Sequence, residues 1–249
     1  MSGPVRRKPR AYHPDRVRDA VLAQVEFVRL AAHELSDEQR AKARELLGHL
    51  ARQIDALPRL LAEPVPRAAR PQLDISGWVI ATVHEERDAA PVDAIDAAAE
   101  ELEAVLETGV REDALVPHHL GAMRAVDFTV TRVVELTLHS DDLSRATGHQ
   151  VQLDRAAMAI STRVLTDALA VKAPGSSTEL RVPPFAAVQC LAGPRHTRGT
   201  PPNVVETDPL TWLRLAAGRT GWDAATASGR LRASGERAGA LAAELPVLA

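Results

Sequence analysis

The feature that most restricts the fold is a change of hydrophobic period near residue 174. Up to "DALAVKA" the apolar residues recur every three or four positions, as on one face of a helix; beyond "PGSS" they fall in short strand-like runs. A chain of 249 residues that changes period once reads as two domains, an all-helical one followed by a small mixed one. Pro174, Gly175, Ser176 and Ser177 form the turn or linker between them. The expected division is a disordered basic tail over 1–11, a helical bundle over 12–173 and an α/β domain over 174–249.

In the helical part, "PDRVRDAVLAQVEFVRLAAHEL" puts Val17, Val21, Val25 and Val28 on one face, with Asp15 as a cap candidate. A second helix runs through "SDEQRAKARELLGHLARQIDALPRLLAE", capped by Ser36 and ended or bent by Pro58 near Ala56. "PVPRAARPQLD" reads as an irregular crossover. Helical spacing resumes around "SGWVIATVHEERDAA", then over 91–108, 120–146 and 154–172. Four or five long elements with one long crossover make a four-helix bundle. Further on, "TELRV" and "AAVQCLA" read as strands, and the loop "GPRHTRGTPPNVVETD" feeds another. Asp208-Pro209 opens a helix that Gly218 closes, and a short helix at "WDAATASG", a strand "RLRASG" and a helix "ERAGALAAEL" finish the chain. Trp212 and Trp222 are expected as core anchors of this part.

Composition narrows the function classes. The net charge of −3 gives no overall bias towards nucleic acid or an anionic membrane, and "VRRKPR" near the start reads as a solvated tail. Cys190 is the only cysteine, so neither an intramolecular disulfide nor a cysteine-ligated zinc site is available. In "AAVQCLAG" it is expected as a buried, inert thiol. No apolar run approaches the ~20 residues needed to span a bilayer, and the start is too polar for a signal peptide, which points to a cytoplasmic protein.

The candidate chemistry lies in "VVELTLHSDDL". Glu135 and His139 are four apart, so on a helix they project from one face and can reach one ion, with donor atoms that suit zinc or a similar divalent metal. A third ligand must come from a facing helix, where His49 in "LLGHLAR" stands among Leu46, Leu47 and Leu50. Two histidines and a carboxylate leave coordination positions open, as catalytic sites do. The same spacing fits an ordinary polar pair and a hydrogen-bonded core histidine, and spacing alone leaves both open. Asp141 and Asp142 either orient His139 or are solvated charges.

Other histidines offer less. His84 in "VHEERD" has Asp88 where a zinc-protease helix needs its second histidine. His118 and His119 sit in a loop after Pro117, and His13 and His33 lack suitable neighbours. "GPRHTRG" places Arg195, His196 and Arg198 in a glycine-bounded loop, which serves either an anion such as a substrate carboxylate or the loop's own structure through Glu206. Arg219 ends a helix, where a cation is favoured by the dipole regardless of function.

"DFTVTRVVELTLHSDDLSRATG" and "LLGHLARQIDAL" resemble the mycothiol-dependent maleylpyruvate isomerase family, metal-binding four-helix bundles of the DinB-like superfamily. "VPPFAAVQC", "GPRHTRGTPPNVVETDPLTWLRLAAGR" and "SGRLRASGER" resemble the sterol-carrier-like α/β domain that commonly follows that bundle, in the branch described as bacterial sterol carrier family proteins. Together the two resemblances cover most of the chain from about residue 12 to 249. The resemblance implies His49, Glu135 and His139 as metal ligands, a divalent ion (zinc first), and mycothiol as cosubstrate. It further implies isomerisation or thiol transfer on a small electrophile at the domain interface. Arg219 would reach the inter-domain cleft and assist catalysis, with Arg195 also holding a carboxylate. The rival from another class is a non-enzymatic carrier enclosing an apolar ligand in the C-terminal domain. A purely structural metal would need a closed four-ligand sphere, and the sequence offers no obvious fourth ligand. One departure stands out: the family's Pro-Gly-Trp entry to the second helix is missing from "LSDEQRAKARELLGHL".

Overall fold

The structure is a computed structural model describing residues 10–82, 92–111, 113–193 and 202–248. The chain divides into two compact units. One comprises Tyr12–Ile75 and His84–Ile160; the other comprises Met1–Ala11, Ser76–Val83 and Ser161–Ala249.

The first unit is a four-helix bundle. Helix α1 spans Pro14–Glu34, α2 Asp37–Lys42, α3 Arg44–Ala62, α5 Asp93–Thr108 and α6 Ala125–Thr147; α4, Ile75–Ala81, belongs almost wholly to the second unit. Helices α1 and α3 each pack against both α5 and α6. Val17, Val21, Val25 and Val28 on α1 are buried, as their spacing predicts. Asp15, however, lies in the first turn; the N-cap is His13, with Pro14 as the first helical residue.

The single second helix expected over residues 36–63 is two helices. Ser36 opens α2 with a full capping box: its side chain accepts from the Gln39 N–H, and the Gln39 side chain accepts from the Ser36 N–H. The chain turns at Ala43 (φ −100°, ψ 11°) and restarts as α3. This two-step entry stands where the Pro-Gly-Trp segment is missing. Pro58 does not end α3, which continues to Ala62. Losing one helical hydrogen bond and accommodating the ring costs about 3 kcal/mol. Burying Leu57 and Leu60 in the same turn stabilises by roughly 1.5–3 kcal/mol each, so packing wins.

Helix α6 starts at Ala125, later than the expected 120, because two short strands precede it. Leu115–Val116 (β1) and Met123–Arg124 (β2) pair antiparallel. The Arg124 guanidinium then donates to Asp127 in the first turn of α6, at 2.7 and 2.8 Å.

The second unit holds a four-stranded sheet in the order β4-β3-β5-β6, with β3 Thr178–Val182, β4 Ala186–Cys190, β5 Val204–Thr207 and β6 Leu231–Ser234. β3 pairs antiparallel with β4 and parallel with β5, and β5 pairs antiparallel with β6. Helix α7 (Arg155–Lys172) leads into it. Helix α8 (Pro209–Ala216) is capped by Asp208, whose carboxylate accepts from Thr211 N–H, and α9 spans Trp222–Ala227. Leu180, Val182, Val205, Cys190, Trp212 and Leu215 are buried; Trp222 is only half-buried. Gly235 (φ +96°) closes the turn after β6, where a Cβ would meet Pro202 O at 2.1 Å. The closing helix is 3-10 rather than α, Ala238–Glu244, and its buried residues Ala238 and Leu241 are three apart, matching the 3-10 repeat. No helix among the described residues is long and apolar enough to cross a membrane.

Candidate metal centre

Helix α6 is enclosed nearly all round and buries an unusual number of polar side chains. The hydroxyls account for themselves: Thr129, Thr131, Thr137 and Ser140 each donate to a carbonyl three or four residues back in the same helix. Arg132, Glu135 and His139 cannot do so. They stand at three- and four-residue intervals on one face, and burying such ionisable groups costs several kcal/mol each unless they find partners.

Their partners come from α3. His49 and Gln53, one turn apart, meet this face in reverse order: Arg132 Nη1 donates to Gln53 Oε1, while His49 Nε2 lies 3.0 Å from His139 Nε2. The helices therefore run antiparallel here. Glu135 Oε2 is 3.0 Å from the same His139 nitrogen, and Gln53 Nε2 is 3.4 Å from His49 Nε2. The two imidazoles are edge-to-face, with centroids 4.4 Å apart at 78°. One ligand atom each of His49, Glu135 and His139 falls within 4.8 Å of the other two, and all three residues are buried.

The protons follow from the geometry. Asp142 Oδ2 lies 3.0 Å from His139 Nδ1, and a carboxylate only accepts, so Nδ1 carries a proton. In the neutral ring, Nε2 then offers a lone pair towards another imidazole and a carboxylate. Three electron-rich atoms converge, an arrangement that needs a cation among them. Without a metal a proton serves. Burial would lower the His139 pKa, but hydrogen bonds to Asp142 and Glu135 and their charges raise it instead. Burial alone would likewise push Glu135 up; the hydrogen bond and charge of His139, then Arg132 and His49, bring it down to about 2.

The donor set fits a divalent ion. Tetrahedral bonds of about 2.0–2.1 Å put neighbouring ligand atoms about 3.3 Å apart, close to the two 3.0 Å separations at His139. Asp142 completes a carboxylate–imidazole arrangement that fixes the ring for coordination. Asp141, its neighbour, is buried and Asp142 half-buried, so neither is the freely solvated charge that was one of the two sequence readings.

Beside the centre a cleft of about 460 Å³ opens within the bundle unit, lined among others by Arg52, Gln53, Arg59, His118, His119 and Arg132. Gln53 and Arg132 belong to both cleft and centre. The sequence reading set His118 and His119 aside and passed over Arg132 and Gln53. A signal was present: Gln53 is one turn from His49, and Arg132 one turn from Glu135.

Arg195, His196 and Arg198, like His84, fall outside the described residues. Arg219, in the second unit, follows Gly218 (φ +68°) and donates from Nη1 to Ala217 O at 2.6 Å. Cys190 is fully buried; burial first, and then the Glu244 charge, push its thiol up to about 12.

Residues 154–247 match the family model described as bacterial SCP ortholog. The C-terminal unit thus carries an SCP-like domain. Crystal structures of mycothiol-dependent maleylpyruvate isomerase, one of them a mutant, are similar in fold over 90% of this chain and 93% of theirs, with a TM-score of 0.52, at 13% identity for the mutant and 14% for the other. No curated protein sequence matches this chain.

Proposed function

We propose that the chain is a metal-dependent, mycothiol-linked isomerase or thiol transferase acting on a small electrophile, with His49, Glu135 and His139 as ligands of a divalent ion, zinc first among them. The observation that carries this reading is the convergence of three buried acceptor atoms within 4.8 Å beside an open cleft. A polar pair kept only for structure would not need three ionisable groups enclosed together, given the desolvation cost of each. The fold shared with mycothiol-dependent maleylpyruvate isomerase supports the thiol assignment.

A divalent ion in this position supplies Lewis acidity, favouring the thiolate of a bound thiol at neutral pH. The protein's own groups do the rest. Asp142 holds the His139 ring through Nδ1–H, so that Nε2 faces the centre. Arg132 holds Gln53 by its amide oxygen, which sets the Gln53 nitrogen against His49. The cleft admits the thiol and its electrophile and limits their approach to one side of the bundle. Arg219 is the candidate for assisting catalysis from the second unit, and Arg195, His196 and Arg198 are candidates for holding a substrate carboxylate.

Cobalt(II) titration tests this reading. One equivalent should give the visible bands of a low-coordinate site, and mycothiol should add a sulfur-to-cobalt charge-transfer band that His49→Ala abolishes. Cobalt bands that mycothiol leaves unchanged would argue against thiol chemistry.

The SCP match supports a second reading, a carrier whose C-terminal unit encloses an apolar ligand. Saturable displacement of a fluorescent fatty acid by a sterol or long-chain lipid, in protein stripped of metal, would favour it over the enzyme.

A further inference from the structure

Gln53 is almost wholly enclosed, at 3% exposure, yet it lines the cleft and touches the metal centre. Among the described residues, none of the three proposed ligands lines the cleft, whereas Gln53 does so within hydrogen-bond range of one of them, His49. It stands where the two meet.

The amide can be read in one direction only. An arginine donates and never accepts, so the Gln53 atom against Arg132 Nη1 is the oxygen. The nitrogen, with its two protons, is then the atom 3.4 Å from His49 Nε2. Arg132 is itself held, with Nε and Nη2 donating to Thr131 Oγ1 at 3.2 and 3.0 Å and the guanidinium 4.5 Å from the Phe128 ring centroid. An N–H aimed at an imidazole nitrogen calls for a lone pair there. Gln53 therefore favours the His49 tautomer whose Nε2 can ligate an ion.

Coordination changes this arrangement. The Nε2 lone pair serves either the Gln53 proton or an ion, not both. Once an ion takes it, that proton faces a nitrogen with nothing left to offer, in a buried place where an unmade hydrogen bond is costly. The acceptor that the ion brings with it is the exogenous ligand of its open position, on the side of the cleft that Gln53 lines.

We infer that Gln53, oriented by Arg132, is a positioning residue for the thiol: its amide N–H donates to the thiolate sulfur that attacks the electrophile. This deepens the proposed function and rests on its metal and thiol assignments. A hydrogen bond of this kind fixes the direction of the sulfur and lowers its basicity, so that it holds less tightly to stray protons.

The test uses the full-length chain loaded with cobalt(II) and titrated with 2-mercaptoethanol and, separately, with imidazole. A thiolate accepts hydrogen bonds after it has bound the ion; imidazole spends its lone pair on the ion and offers no acceptor in return. Gln53→Met keeps the length of the side chain and removes the N–H. It should weaken 2-mercaptoethanol about tenfold, the worth of a hydrogen bond to a charged acceptor, and leave imidazole within about twofold. The sulfur-to-cobalt charge-transfer band should also move to lower energy, because a sulfur without its hydrogen bond gives up charge more easily. Gln53→Glu keeps the shape and the Arg132 partner but presents only acceptors, so it should weaken the thiol at least as much, and it serves where methionine disturbs the fold. Unchanged thiol affinity and band position in either folded variant, or an equal loss for imidazole, would overturn the inference. Wild type that binds cobalt and thiol while the variants give that result loses only this role of Gln53. Wild type that takes up no cobalt, or cobalt but no thiol, loses the proposed function and this inference with it.

Discussion

Glu135 is charged in a place where burial alone would remove its charge. Burial raises its pKa, but the hydrogen bond from His139, its charge and those of Arg132 and His49 bring it to about 2, below the ordinary 4.5. A depressed carboxyl pKa contributes stability that is present above the unfolded value and is lost as pH falls through the folded one. In metal-free protein, the stability advantage of wild type over Glu135→Gln should therefore shrink between about pH 4.5 and about pH 2, as read from urea unfolding at a series of pH values. His139 works in the opposite sense: its raised pKa contributes stability below 6.5 that is lost as pH rises through the folded value. Cys190 gives a separate test. A fully buried thiol with a pKa pushed to about 12 should not react with a thiol-specific reagent at pH 8 in the native protein, and should react at once in guanidinium chloride. At this scale the sequence made His49, Glu135 and His139 legible, because four-residue spacing is written in it. Gln53 and Arg132 were not read, since their partners depend on which helix faces which, and His118 was set aside as a loop residue.

Elements were legible where one period ran long enough to register. The valine stripe of α1 and the alternation of β3 were both visible. The junction between α2 and α3 was not, because "AKARELL" keeps good helix formers through the turn at Ala43. Strands of two residues, as in β1 and β2, are too short to show alternation at all. The end of α3 illustrates a local rule partly overridden: proline chemistry argued for a stop or a bend near Ala56, and with leucines buried around Pro58 the helix does not stop but runs on to Ala62. Ser36 caps α2, the short helix that precedes α3. Ser36→Ala removes one half of the capping box and should lower unfolding free energy by about 1 kcal/mol, with little change in metal affinity. Urea denaturation and a zinc titration on the same variant check both parts.

For the whole molecule, one change of period was enough to predict a helical bundle followed by a small sheet domain. The shared fold with mycothiol-dependent maleylpyruvate isomerase and the SCP match over 154–247 agree with that architecture. What composition could not carry is the cleft, since it arises from residues 52–63 and 117–132, segments far apart in sequence that meet only in the folded bundle. Likeness of fold at 13–14% identity does not bring a reaction with it; the metal reading rests on the bundle's own side chains.

Whether the three enclosed side chains hold a metal is read by elemental analysis of purified, tag-free protein beside His49→Ala and Glu135→Ala. About one divalent ion per chain is expected in the wild type, with near-complete loss in both variants. Wild-type protein that is metal-free and cannot be reloaded with zinc, or variants that keep a full equivalent, would contradict it.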